Sequence, residues 1–341
     1  MNEPTLYVLN LNGFVNLLVS LYVDDLLVTG PDSYVVDDFK MKMKQEFQMT
    51  DLGEMTFFLG MEIVQKPDYI CIHQTKYARE LLQRFNMEAC KSVDTPLTSN
   101  NKFCKNDGSG DDNGVVYRSL VGCLLYLTAS RPDIMYAASV LSRYMQKSSE
   151  FHFIAAKRVL RYVKGTMNFG LKFSKKSSNN LLGYCDSDWA GSLEDSRSTT
   201  GFCFSFGSAM FTWNCKKRDV VAQSTAEAKY IAATIATNHA LWLRKMLKDI
   251  GFKQREETTL WIDNQSAIDI ANNPVHHGRT KHIRVKYHAI RDAIKEKEIA
   301  VYHYNSSKQL ADILTKSLSK ERFVYLKTML GVCEIHSKEV R

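Results

Sequence analysis

The order of apolar segments in the C-terminal half limits the fold more than any other feature of this 341-residue chain. Three short apolar runs come first, and a long helical pattern then begins near Ser224 and ends at Gly251. Two further strand-like runs follow, with helical segments between and after them. Such an order predicts a five-stranded mixed sheet flanked by helices. The predicted strands are residues 181–188, 201–206, 209–215, 258–263 and 299–304.

Two polar, turn-rich stretches divide the chain, at 98–113 and at 174–180. Before the first, β-rich runs surround the tetrapeptide Y-V-D-D, and the middle part is mostly helical, with helix starts near Pro132 and Phe151. We therefore expect a multidomain protein of mixed α/β and α+β class. The expected segments are a first domain at 1–97, a linker and helical connection at 98–178, a sheet domain at 179–320 and a C-terminal tail at 321–341. Further strands are expected at 55–64 and 69–73, and helices at 33–47 and 74–85.

Composition narrows the class of protein without naming a function. Forty-five Lys and Arg against thirty-seven Asp and Glu give a net charge of +8, which favours polyanionic partners. Eight scattered cysteines form no C-x-x-C pair, which argues against a zinc ribbon. The most apolar stretch, Phe14 to Val28, is interrupted by Asp24 and Asp25, so no membrane span is expected. The N-terminus does not show the pattern of a signal peptide, and we expect an intracellular protein that is not secreted.

Four carboxylates lie at the ends of predicted elements: Asp186, Glu227, Asp263 and Asp312. Each has a structural explanation of its own. Asp186 ends a strand, Glu227 completes the capping box S-x-x-E with Ser224, Asp263 can cap the next helix, and Asp312 suits a helix start.

Taken together, the four acids indicate a metal site. Like charges gathered on one edge of a sheet are costly unless a cation neutralises them. Oxygen ligands alone favour Mg²⁺ or Mn²⁺ over zinc. Two such ions can activate a water molecule and stabilise the leaving oxygen of a phosphodiester.

Motifs along the whole chain resemble those of copia-type LTR retrotransposon Pol polyproteins, in the same order. The motifs that resemble the family's RNase H domain are G-Y-C-D-S-D-W-A-G, R-S-T-T-G-F, V-A-Q-S-T-A-E-A-K-Y, W-I-D-N-Q-S-A-I, G-R-T-K-H-I and Q-L-A-D-I-L-T-K. Those that resemble its reverse transcriptase and connecting region are L-Y-V-D-D-L-L-V-T-G, D-L-G-E-M-T-F-F-L-G-M-E-I, H-Q-T-K-Y, Y-R-S-L-V-G-C-L-L-Y-L and R-P-D-I.

The resemblance implies the C-terminal part of such a polyprotein: a partial polymerase palm and thumb followed by an RNase H-like domain. It implies hydrolysis of the RNA strand of RNA–DNA hybrids, dependent on Mg²⁺ or Mn²⁺, with Asp186, Glu227, Asp263 and Asp312 as the catalytic metal ligands. The expected partners are an RNA–DNA hybrid or other nucleic acid and the rest of the polyprotein. The expected location is a cytoplasmic virus-like particle or the nucleus.

Two departures from the family pattern bear on activity. Asp24 and Asp25 match the polymerase Y-x-D-D, but the family's further metal-binding aspartate and its fingers are expected earlier than this chain starts. We therefore predict that the chain does not polymerise DNA by itself. The family's S-T-A-E-A-E-Y is S-T-A-E-A-K-Y here. Lys229 replaces the second acid, and the ligand is assigned to the first, Glu227.

Several further polar residues are predicted to contact nucleic acid. Ser187, Asn264 and Gln265 flank the proposed site and suit contact with RNA 2′-hydroxyls, whereas Arg279 and Lys281 suit phosphates. A solvated basic face explains the last two equally well. Histidines 276, 277, 282, 288 and 303 match no zinc spacing, and His303 is left outside the catalytic set.

Two alternatives accompany the nuclease interpretation. A decayed copy of the element would fold and bind nucleic acid without turnover. An integrase or transposase core shares this type of sheet but orders its acids Asp, Asp, Glu, whereas the order here is Asp, Glu, Asp, Asp.

Overall fold

The computed structural model describes residues 3–99, 101, 103–110, 112–175, 178–273 and 289–335. Their strands are β1 (Leu6–Leu11), β2 (Phe14–Tyr22), β3 (Asp25–Thr29), β4 (Phe57–Phe58), β5 (Met61–Gln65), β6 (Tyr69–His73), β7 (Phe169–Ser174), β8 (Leu181–Ser187), β9 (Thr199–Phe206), β10 (Met210–Lys217), β11 (Thr258–Ile262), β12 (Ile299–His303) and β13 (Val332–Glu334). Their α-helices are α1 (Ser33–Glu46), α2 (Thr75–Arg84), α3 (Gly114–Leu127), α4 (Met135–Ser142), α5 (Glu150–Gly165), α6 (Thr225–Asp249), α7 (Gln265–Asn272), α8 (Ala289–Lys295) and α9 (Lys320–Met329). Short 3₁₀ turns lie at Pro132–Ile134, Ser306–Lys308 and Leu310–Leu314. No helix within these ranges combines the length and the apolar character needed to cross a bilayer.

The first sheet is an antiparallel meander of β1, β2 and β3, and α1 lies against β2. Val23 and Asp24 form the turn between β2 and β3, and Tyr22 pairs with Asp25 across it. Val23 has φ +55°, a left-handed conformation that β-branched residues rarely adopt. The β runs predicted around Y-V-D-D are confirmed, as is the helix predicted after them. The structure adds β1.

The second sheet is antiparallel and has the order β13-β7-β6-β5-β4. It joins strands from three of the segments expected from the sequence: β4, β5 and β6 from the first, β7 from the second and β13 from the last. The residues expected to form a tail from 321 contribute α9 and β13, and the structure describes them as far as residue 335. Strand β13 covers the edge of β7 that β6 leaves open, which satisfies backbone groups there.

Helices α2 to α5 pack with α9 around one apolar core. Leu124 of α3, Leu141 of α4, Val159 of α5 and Leu326 of α9 are fully buried in it. The prediction of a mostly helical middle part is confirmed, except that its end forms the strand β7.

The third sheet has the order β10-β9-β8-β11-β12. Strands β8, β9 and β10 are antiparallel, whereas β11 runs parallel to both β8 and β12. All five strands predicted in this region are present, and α6 is the predicted long helix. The expected five-stranded mixed sheet with flanking helices is therefore confirmed.

Both faces of the third sheet are covered. Phe202 and Phe204 of β9 pack with α6, while Cys203, between them, joins the core around α3, α4 and α5. Neighbouring residues on a strand point to opposite faces, which explains this division. On the Cys203 side the buried and mostly apolar 3₁₀ turn Leu310–Leu314 lies on β8 and β9 and brings Asp312 to the sheet edge.

Candidate metal centre

Asp186 is the last residue but one of β8, and its side chain is fully buried. The Thr315 hydroxyl donates to its Oδ2 at 2.5 Å, and the Lys229 ammonium donates to its Oδ1 at 2.8 Å. Burial acts to raise the pKa of Asp186, but the charges of Lys316 and Lys229 hold that pKa well below its usual range. Asp186 is therefore an ionised carboxylate inside the protein.

Asp263 and Asp312 reach the same point from two other elements. Strands β8 and β11 are parallel, so their C-terminal ends meet at one edge, and Asp263 directly follows β11. Asp312 lies in the 3₁₀ turn Leu310–Leu314, which approaches closely because residue 201 of β9 is glycine. A Cβ added at Gly201 would lie 2.6 Å from Leu314 Cβ. One oxygen from each of the three carboxylates lies within 4.8 Å of the others.

Basic side chains surround Asp312. Its Oδ1 lies 2.8 Å from Lys316 Nζ, and its Oδ2 pairs with the Arg322 guanidinium. Lys316 also lies 3.6 Å from Asp186 Oδ2. Burial and the nearby charge of Asp186 raise the pKa of Asp312 to about 7.

Lys229 lies at the centre of the site. Its Nζ contacts Asp186 Oδ1 at 2.8 Å and also pairs with Asp263 Oδ1. Burial acts to lower the pKa of Lys229, but Asp186 and Asp263 raise it above its usual value, so the side chain carries a charge. The ammonium thus bridges two of the three carboxylates.

Glu227 is not in this group of carboxylates. Its backbone N–H donates to Ser224 Oγ at 3.1 Å, and its Oε2 accepts from the backbone N–H of Gln223 at 2.9 Å. These are contacts of a helix start, the structural explanation that the sequence offered. Residues two apart on a helix do not share a face, so a helix that presents Lys229 to Asp186 turns Glu227 away. The structure brings together three of the four predicted ligands, with Lys229 where the fourth was expected.

The carboxylates supply the type of donor that a divalent ion requires. Carboxylate oxygens are the ligands that Mg²⁺ and Mn²⁺ prefer. Here, however, Asp186 and Asp263 are already bridged by Lys229, and Asp312 is paired with Lys316 and Arg322. An ion would have to displace these side chains, so the residues present do not fit the expected pair of divalent cations.

The basic residues around the cluster were not predicted from the sequence to take part in the site. Thr315 and Lys316 belong to the motif Q-L-A-D-I-L-T-K, in which Asp312 is the predicted metal ligand. Arg322 comes from α9, within the expected tail. Lys229 could have been found from its position on α6, because it lies four residues before the buried Ala233 and therefore on the same side of the helix.

The polar residues predicted to contact nucleic acid have other partners. The Ser187 hydroxyl is buried and donates to the backbone oxygens of Asp188 and Thr199 at 3.0 and 3.1 Å. Asn264 caps α7 by accepting from Ala267 N, and Gln265 is exposed and donates to Asp269. Arg279 and Lys281 lie outside the described residues, as do histidines 276, 277, 282 and 288. His303 is exposed at the end of β12.

Asp24 and Asp25 are exposed at the tip of the β2–β3 hairpin. In the part of the chain that the structure describes, neither belongs to a group of three or more residues arranged to hold a metal ion. The hairpin that carries Y-V-D-D is therefore present. Within the described residues its two carboxylates have no third ligand beside them.

Comparisons with known proteins agree with the motifs. A family model described as reverse transcriptase (RNA-dependent DNA polymerase) matches residues 2–99. The chain is 37% identical over 330 residues, 94% of its length, to the Retrovirus-related Pol polyprotein from transposon TNT 1-94 of Nicotiana tabacum. It is 31% identical over 221 residues to the Putative transposon Ty5-1 protein of Saccharomyces cerevisiae, covering 64% of this chain and 72% of that protein. Among solved structures, the N-terminal RNase H domain of rv2228c from Mycobacterium tuberculosis aligns with a TM-score of 0.28 and 11% identity, covering 44% of this chain and 98% of that one.

The chain spans about a quarter of the Nicotiana tabacum polyprotein, 24% of its length. A second plant relative, from transposon RE1 of Arabidopsis thaliana, is matched over 98% of this chain at 34% identity and over 23% of its own length. The sequence similarity thus extends across both the hairpin with Y-V-D-D and the sheet that carries the carboxylates. This chain belongs to the family of copia-type retrotransposon Pol polyproteins.

Proposed function

We propose that the RNase H-like part of this chain binds RNA–DNA hybrids across the carboxylate cluster and does not hydrolyse their RNA strand. The observation that carries the proposal is the position of the Lys229 ammonium, which bridges Asp186 and Asp263. Two-metal hydrolysis needs those carboxylates as ligands. The three carboxylates are still arranged as a metal centre would require. The positive charge that a metal ion would bring to Asp186 and Asp263 is supplied by Lys229.

The basic side chains also favour binding in the absence of metal. A group of bare carboxylates repels a phosphate backbone, and in a metal-dependent nuclease the ions remove that repulsion. Here Lys229, Lys316 and Arg322 all pair with the carboxylates, and the last two keep 41% and 33% of their side-chain surface exposed. These exposed cations are available to phosphates, whose contacts give most of the affinity for nucleic acid.

Hydrolysis of the RNA strand in Mg²⁺ or Mn²⁺ is the second candidate function. The convergence of Asp186, Asp263 and Asp312 from three elements favours it. Under that candidate a bound hybrid and divalent ions would together displace Lys229 and Lys316 from the carboxylates. The two candidates differ in one measurable respect, the dependence on metal.

The test measures binding and cleavage of one labelled RNA–DNA hybrid by the full chain, in EDTA and in Mg²⁺ or Mn²⁺. We expect equal binding in both, weakened by added salt, and no cleavage. Asp263→Asn is the control. Cleavage by the wild type in Mg²⁺ that Asp263→Asn abolishes would establish the second candidate and overturn the first. Absence of binding in EDTA would also contradict the proposal.

The reverse transcriptase-like part is proposed to be inactive as a polymerase in this chain. Asp24 and Asp25 stand on an exposed hairpin, and the described residues place no third acid with them. Primer extension on an RNA or DNA template tests this directly. Incorporation of nucleotides by the purified chain would contradict it.

A further inference from the structure

We propose that Lys229 is the built-in cation of this centre, so that the wild-type cluster takes up no divalent ion and a single substitution at this position opens a metal site. The inference rests on the proposed function because it concerns the same carboxylates. It predicts binding of a metal ion alone, which is measured without nucleic acid.

The contacts of Lys229 match those expected of a bridging cation. Its Nζ lies 2.8 Å from Asp186 Oδ1 and also pairs with Asp263 Oδ1. The other oxygen of Asp186 accepts from Thr315 Oγ1 at 2.5 Å. Both oxygens of this fully buried carboxylate therefore accept a hydrogen bond from the chain, and a metal ion would have to compete with the Lys229 ammonium for Oδ1.

Burial makes the charge of Lys229 stabilising. Side-chain exposure is 0% for Asp186, 5% for Asp263 and 13% for Lys229. Two adjacent carboxylates buried to this extent need a counter-charge, because removing one partner of a buried ion pair leaves the other uncompensated. In a metal-dependent centre the ion supplies that charge when it binds, whereas here the chain supplies it as it folds.

Replacing the lysine by glutamate would leave room for an ion. A glutamate oxygen is one bond nearer to the backbone than the lysine Nζ, so the substitution would withdraw the end of the side chain from the Asp186 and Asp263 oxygens. An Mg²⁺ ion needs about 2.1 Å to each oxygen ligand, and this withdrawal gives it space between the three side chains. Lys229→Glu also changes the charge of the cluster by two units in the direction that favours a cation.

The experiment measures Mn²⁺ binding to the full chain by calorimetry and, in parallel, the thermal midpoint with and without Mn²⁺. The variants are Lys229→Glu, the neutral Lys229→Gln, and Lys245→Glu as a matched control. Lys245 is an exposed lysine of the same helix, so its substitution makes the same change of charge away from the site.

We expect wild type and Lys245→Glu to show no site-specific binding. Lys229→Glu should bind Mn²⁺ on the order of tenfold more tightly than the weakest binding that the calorimeter detects, since affinity follows the number of charged ligands. Its thermal midpoint should fall in EDTA and recover in Mn²⁺, and adding Asp263→Asn should remove the binding.

Three results would overturn the inference. They are Mn²⁺ binding by wild type equal to that of Lys229→Glu, no binding by a folded Lys229→Glu, and equal binding by Lys245→Glu. If Lys229→Glu does not fold, Lys229→Gln decides, because it removes the ammonium and should bind Mn²⁺ more tightly than wild type. Hybrid binding is measured separately. A wild type that binds neither Mn²⁺ nor hybrid would refute the proposed function and leave this inference standing.

Discussion

The ion pair between Arg131 and Asp133, in the motif R-P-D-I, should be one of the most costly in the chain to break. The two side chains are 1% and 0% exposed, and Arg131 Nη2 lies 2.7 Å from Asp133 Oδ2. A second bond joins Arg131 Nε to Asp133 Oδ1 at 2.9 Å, and the Tyr162 hydroxyl donates to Oδ2 at 2.6 Å. Burial acts to raise the pKa of Asp133, but the Arg131 charge holds that pKa below its usual value. Both groups are therefore ionised inside the apolar core.

Asp133→Ala would leave the buried guanidinium without its counter-charge. Arg131 would keep its bonds to Thr166, at 2.8 Å to the backbone oxygen and 2.8 Å to Oγ1, but these are neutral acceptors. Breaking one side of a buried ion pair costs about 3–5 kcal/mol. The Tyr162 hydroxyl also loses its acceptor, which places the expected loss in the upper part of that range.

The chain offers a control of the same geometry. Lys42 Nζ also lies 2.7 Å from a carboxylate, Asp38 Oδ2, but these side chains are 70% and 38% exposed. Surface pairs contribute little to stability, so Asp38→Ala should leave the urea midpoint almost unchanged. The assay is urea denaturation of each full-length variant, followed by circular dichroism. Equal midpoints for Asp133→Ala and Asp38→Ala would refute the reasoning. A double variant, Arg131→Met with Asp133→Leu, should recover part of the loss because no unpaired charge remains.

Other substitutions and conditions test the packing around the site. Gly201→Ala should cost about 1–3 kcal/mol, because its Cβ would lie 2.6 Å from Leu314 Cβ, whereas Gly122→Ala in α3 meets nothing within 4 Å and should raise the thermal midpoint slightly. Thr315→Val should cost about 1.5–3 kcal/mol by removing the hydroxyl that donates to a buried carboxylate, and Thr315→Ser should restore most of the thermal midpoint. Burial lowers the pKa of His239, so the unfolded chain takes up this proton more readily, and stability should fall as pH drops below about 6.5. His239→Gln should weaken that dependence of the urea midpoint on pH, and an unchanged dependence would contradict this assignment.

The third sheet could be predicted because each of its strands carries its own signal. The run L-L-G-Y-C before Asp186 and the run T-T-L-W-I before Asp263 are apolar, short and followed at once by a carboxylate. Once β8 and β11 are parallel, their ends must meet at one edge, so the nearness of Asp186 and Asp263 follows from the order of elements. Asp312 follows in the same way from the segment after β12.

The second sheet could not be predicted in this way. Strand β13 has only three residues, Val332–Glu334, and its pattern is too short to distinguish a strand from a turn. It becomes a strand because β7, more than 150 residues earlier, leaves an edge that it can pair with. Such pairing depends on how distant segments pack together, and the local sequence pattern carries no information about that packing.

The assignment of Glu227 rather than Lys229 to the site depended on the rotation of α6 about its axis. The buried residues Ala233, Ala236, Ala240 and Leu243 follow one another at spacings of three or four, and four residues before Ala233 the same face begins with Lys229. A lysine on the buried face of a helix needs a partner, because an unpaired buried charge is not tolerated. Glu227, two residues before Lys229, is also buried but lies on another side of α6. The packing of α6 therefore fixes which side chain reaches Asp186, and in this chain that side chain is a cation.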